Sequence, residues 1–269
     1  MVSKGNGKIL SNSHKSAIVL LRELETRYDR SYLATDPVYH VHQYKNKDDQ
    51  EVVAFLSALF AFGNVTSIHQ SLKKIFALLS PSPAESLRNK DYLQDISWVD
   101  TTKHRWVTGE DILELFKVLS GVLNEHLSLE SYFLEHVKKG GEPVEDLLMS
   151  VTQDMKSRSQ RRTRGFHFLF PSPAQGSPCK RLVLFLRWMI RPGDGIDLGL
   201  WKCLPASKLI VPLDTHVYRF ARRYRLIRHK NPSWKMALAV TDFLRHHLDA
   251  QDPVRYDFSI CHYGMEKGW

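Results

Sequence analysis

The chain has 269 residues, 43% hydrophobic and 25% charged, with a formal net charge of +9. Such a composition excludes wholesale disorder and can bury one sizeable core, or two sub-domains sharing a cleft. The positive charge favours a polyanionic partner, nucleic acid first among them.

Taken in chain order, apolar residues 17, 19, 20, 21 and 24 fall on one face of a helix over 15–28. A polar loop, "ATDPVYHVHQYKNKDD", follows. Residues 51–62 are apolar nearly all round, which predicts a central, buried helix. "FGN" ends it, a further helix runs over 65–79, and "SPSP" breaks the chain. Thr108 and Asp111 form a capping box that opens the next helix. Residues 128–139 read as a helix stopped by Gly140-Gly141, and 144–155 as another. A basic, then aromatic, then Pro/Gly/Ser-rich stretch, 156–179, links the helical parts 51–155 and 180–269. The second part opens with an apolar helix over 180–190, then a turn-rich segment and a helix headed by Asp214. Asn231 before Pro232 reads as an N-cap for the helix that follows. No strand ladder or repeat is visible, so the expectation is an all-α domain of roughly eight to eleven helices.

Cys179, Cys203 and Cys261 are three cysteines without CxxC or zinc-like spacing. They point to a reducing compartment and exclude a four-cysteine iron–sulfur cluster within this chain. "HVH" at 40–42 and "HH" at 246–247 lack a zinc-protease spacing. "MVSKGNGKIL" has no apolar signal core, and "VVAFLSALFAF" is too short to span a bilayer. A cytoplasmic location, with no membrane partner, is expected.

Two positions suggest chemistry. Asp214 follows a Pro-Leu pair and heads a segment carrying Arg219, Arg222, Arg223 and Arg225. An N-cap reading explains its place, yet the same carboxylate could face a developing positive charge while phosphates run past the arginines. Lys180 opens the apolar 180–190 helix beside Arg181. The helix dipole and the adjacent guanidinium both favour an uncharged, nucleophilic amine there, although a solvated lysine after a loop fits as well. Phe166, Phe168, Phe170, Trp188 and Trp201 could stack a base but read more simply as core. Asp252, Pro253 and Asp257 read as a helix start and its cap.

"PLDTHVYRFARRY" resembles the V-D-T-H-[IV]-x-R segment of helix-hairpin-helix–GPD DNA glycosylases, matching at Asp214, Thr215, His216, Val217, Arg219 and Arg223. "FLSALFAFGNVTSIHQSLKKI" resembles an early helix pair of that fold, with Asn64 at the polar position that reaches DNA. The L-P-G-[VI]-G hairpin of the endonuclease-three branch is missing; Ile196 stands at its lysine spacing. "KRLVLFLRWM" is similar instead to the lysine helix of archaeal-type 8-oxoguanine DNA glycosylases, and Lys180 precedes Asp214 by 34 residues. "SPCKRLVLFLRWMIR", "DLGLW", "LIVPLDTHVYR" and "DPVRYDF", in this order, resemble a bacterial family of unknown function over nearly the whole chain.

The resemblance implies a DNA-glycosylase-like fold: one domain over 1–269, with two helical sub-domains flanking a cleft. It implies a base-excision-repair glycosylase/AP lyase, with Lys180 as nucleophile and Asp214 as the catalytic acid residue. It also implies a monomer acting on double-stranded DNA with a damaged base or abasic site, oxidised purine being one candidate. Asn64, Arg161, Arg162, Arg164, Arg219 and Arg223 would contact the DNA, and no cofactor or metal is required. The alternative is a non-catalytic DNA- or RNA-binding protein on the same fold.

Overall fold

The computed structural model describes residues 10–138, 143–161, 163–228 and 230–269. Among them run thirteen α-helices and one two-stranded hairpin. The helices are α1 (Asn12–Arg27), α2 (Lys47–Leu59), α3 (Val65–Ala77), α4 (Pro83–Asn89), α5 (Trp98–Thr101), α6 (Gly109–Glu125) and α7 (Leu129–Glu135). They continue with α8 (Pro143–Arg158), α9 (Arg164–Leu169), α10 (Lys180–Ile190), α11 (Thr215–Arg223), α12 (Trp234–His247) and α13 (Asp257–Glu266). The all-α expectation holds, with one exception: β1 (Lys103–His104) pairs antiparallel with β2 (Val107–Thr108).

The core is built around α2 and α10, which pack on each other. Every residue from Val52 to Leu59 is buried, as the continuous apolar run requires. Phe55 meets Phe185 edge-on at 5.0 Å, and Phe185 meets Trp201 at 4.9 Å. Burying each such ring stabilises the fold by about 1.5–3 kcal/mol. Glu51 lies inside this apolar layer, accepting from Trp201 Nε1 at 2.9 Å and from the Glu130 amide at 3.2 Å. The tryptophan donor thus tethers the turn-rich segment to α2. Phe166, Phe170, Trp188 and Trp201 are fully buried core residues, whereas Phe168 is half-buried.

Several boundaries move for physical reasons. α7 stops at Glu135, ahead of Gly140-Gly141, which lie outside the described residues. The 156–179 link contains α9, capped by the Thr163 hydroxyl accepting from the Phe166 amide. Ser233, not Asn231, caps α12, accepting from the Met236 amide at 3.3 Å. The Asp252-Pro253 segment is a turn, and α13 begins at Asp257. Asp252 and Asp257 are instead partners of buried arginines. Arg187 binds Asp197 through two bonds of 3.0 and 3.1 Å and also pairs with Asp257. Arg191 binds Asp197 at 2.8 Å and Asp252 at 2.8 Å. The polar 29–43 stretch forms two 3-10 helices, 30–35 and 37–43, and Asp36 caps the second.

Candidate functional site

A cavity of about 810 Å³ opens among the 35–37 segment, the α2–α3 connection, α3, α9, α10, α11 and α13. Lys180 and Asp214 both line it. Each position follows from local geometry. Cys179 adopts a left-handed backbone (φ 49°), and its buried thiol donates to the Pro171 carbonyl at 3.3 Å. The turn places Lys180 at the first residue of α10, where its Nζ donates to the Ala61 carbonyl at 3.0 Å. The neighbouring Arg181 is buried, bonded to the Leu59 carbonyl at 3.1 Å and to that of Phe168. Burial lowers the Arg181 guanidinium to about 10, the direction expected for a cation held by neutral carbonyls and rings.

Asp214 divides its two oxygens. Oδ1 accepts from the Val217 amide at 2.7 Å as the N-cap of α11, while Oδ2 accepts from the Cys261 thiol at 3.3 Å. Asp214 thus caps α11 and lines the cavity at once. α11 packs on α13. His216 lies against Gly264, where an added Cβ would stand 2.5 Å from Nδ1.

Sequence reasoning gave no chemical role to the other acidic groups of this cavity. Asp36, Asp257 and Cys261 line it with Lys180 and Asp214. Burial pushes the Asp257 carboxyl up to about 7; Arg187 opposes that rise and Asp214 reinforces it. Burial, then the Asp214 and Asp257 charges, hold the Cys261 thiol well above its ordinary range. Asp257 was legible only as part of a motif, because its partner Arg187 is 70 residues away. Asp214, His216 and Cys261 also place one donor atom each within 4.8 Å of one another, a set able to hold a metal ion. The ligand types suit zinc.

The expected DNA contacts are dispersed. Asn64 is exposed beside the cavity-lining Gly63 and caps α3, accepting from the Thr66 amide at 2.9 Å. Arg219 and Arg223 are exposed on α11, with Arg223 over the Trp269 ring at 5.8 Å. Arg164 is exposed at the start of α9. Arg161 pairs with Glu110 at 3.2 Å, so part of its charge is already met. Arg162 lies outside the described residues. No helix among the described residues is long and apolar enough to cross a membrane.

No curated protein and no solved structure matches the chain. Residues 36–266, which include every cavity-lining residue named above, match a family described as "Protein of unknown function (DUF2400)", and the chain belongs to that family.

Proposed function

We propose that this protein is a lysine-dependent DNA glycosylase/AP lyase of base excision repair. The observation that carries the reading is the convergence of Lys180 and Asp214 on one cavity in a chain of net charge +9. A cavity of about 810 Å³ is within the range that encloses a small ligand, which supports its use as a pocket for a flipped-out nucleotide. Lys180 Nζ attacks C1′ of that nucleotide, and the glycosidic bond breaks with its electron pair leaving on the base. Asp214 takes the proton lost by the amine, or stands beside the positive charge that develops on the sugar. Proton transfer to the leaving base and opening of the sugar ring give a Schiff base, from which loss of a C2′ proton and of the 3′ phosphate nicks the strand. Arg219 and Arg223 extend the anion-binding surface beyond Asp214.

A second reading, a non-catalytic DNA- or RNA-binding protein, draws on the bond between Lys180 Nζ and the Ala61 carbonyl, which an attacking amine must leave. Incubation with a duplex carrying one abasic site separates the two. Nicking by wild type but not by Lys180→Ala supports the lyase; salt-sensitive binding without nicking supports the binding protein. Oxidised purines are the first damaged bases to test, by the placement of the lysine.

A further inference from the structure

The hairpin between α5 and α6 was not anticipated, and its tip has no role in the chemistry above. Its register, Lys103 opposite Thr108 and His104 opposite Val107, leaves Arg105 and Trp106 as a two-residue turn. The inward residues fix it. His104 is buried, with Nδ1 2.9 Å from the Ser71 hydroxyl and Nε2 2.8 Å from the Phe62 carbonyl. Burial lowers the His104 imidazole below its ordinary range. Val107 is buried, and Thr108 caps α6. The tip is therefore held at one end by α3 and the α2–α3 connection, and at the other by α6.

What the tip presents is unusual for a turn. Arg105 adopts φ 55°, a left-handed conformation that costs a non-glycine residue free energy. Trp106 is 49% exposed, whereas Trp98, Trp188, Trp201 and Trp234 are all buried. Its ring centroid lies 5.3 Å from Phe62 and 5.0 Å from Phe168, two residues of the cavity wall. The Arg105 guanidinium stacks over Trp106 at 5.0 Å, and its side chain reaches over Gly63, next to Asn64. Lys103 is exposed, and α9, opened by the exposed Arg164, packs against β2. An exposed indole, backed by two rings of the cavity wall and covered by a guanidinium, suits an anionic chain with flat aromatic units.

We propose that Arg105 and Trp106 form a stacking platform for an unpaired DNA base beside the cavity. The inference rests on the nucleic-acid reading but not on the chemistry of Lys180 or Asp214. Paired bases have no free face to offer, so the platform discriminates unpaired from paired DNA. Loss of base–aromatic stacking then weakens binding by about 5- to 140-fold when the ring is removed. Phosphate neutralisation, and hence the salt dependence, is untouched by that change.

The test is binding of wild type, Trp106→Ala and Trp106→Phe to a fully paired duplex, a duplex with one unpaired base, and a single strand. Salt titrations and thermal melts accompany each variant. Expected is a loss confined to the unpaired ligands in Trp106→Ala, largely restored in Trp106→Phe, with unchanged salt slope and stability. Tryptophan emission should be quenched by single strands in wild type and less so in Trp106→Phe. Equal losses on paired and unpaired DNA, or none on either, would overturn the platform alone. Wild type that binds no DNA would overturn both the platform and the reading beneath it.

Discussion

The Cys261 thiol donates to Asp214 Oδ2 at 3.3 Å, tying α13 to the N-cap of α11 inside the cavity. The carboxylate oxygen that does not cap α11 is thereby held by Cys261, in a residue that lines the same cavity as Lys180. The fold positions this group, and the cap alone does not need a charge to do so.

Cap and chemistry can be separated. Asn caps as well as Asp, so Asp214→Asn should leave thermal stability within a few tenths of a kcal/mol, whereas Asp214→Ala should lose about 1 kcal/mol. Nicking of abasic DNA should fall at least about 100-fold in both variants. Full nicking activity in Asp214→Asn would reduce this residue to a cap.

Asp257 makes stability depend on pH with a definite sign. Its carboxyl is pushed up to about 7 in the folded chain, chiefly by burial, against about 3.9 unfolded. The folded state thus binds the proton more tightly. That contribution is full below about pH 4 and is lost as pH rises through about 7. Denaturant melts should show wild type losing stability over that interval relative to Asp257→Asn, by at most about 1.4 kcal/mol per pH unit. Parallel pH profiles for the two proteins would contradict this.

Arg187 joins Asp197 and Asp257 in the interior. Arg187→Met should destabilise by about 3–5 kcal/mol, since it leaves buried carboxylates short of a partner. The loss should be smaller near pH 5 than near pH 8, because Asp257 can then become neutral. A pH-independent loss, measured by denaturant melts, would assign the effect to packing.

The α11 arginines should act through phosphate. Arg219→Ala and Arg223→Ala should each weaken DNA binding whatever the sequence, and lower the log–log salt slope by about 1. Arg161→Ala should change the slope less, because Glu110 at 3.2 Å already meets part of that charge. Fluorescence anisotropy over a range of salt distinguishes these outcomes.

The sequence carried the helices whose burial is periodic or continuous, α2 above all, and both helix starts that matter for the cavity. Lys180 and Asp214 were legible because each is the first polar group of a helix. The remaining cavity groups were not. Asp36 hides in a polar loop whose 3-10 turns have no apolar period to reveal them. Asp257 and Cys261 acquire meaning only from Arg187 and Asp214, brought near by packing rather than spacing. The 103–108 hairpin escaped notice because two-residue strands are too short to alternate, and its turn holds Arg105 where glycine or asparagine is usual.

The most direct measurement is borohydride reduction of wild type with a duplex bearing one abasic site, followed by peptide mass mapping. A covalent adduct at Lys180, absent in Lys180→Ala and diminished in Asp214→Asn, is the result predicted. No adduct, or one on another lysine that persists in Lys180→Ala, would contradict the assignment of this cavity as a Schiff-base site.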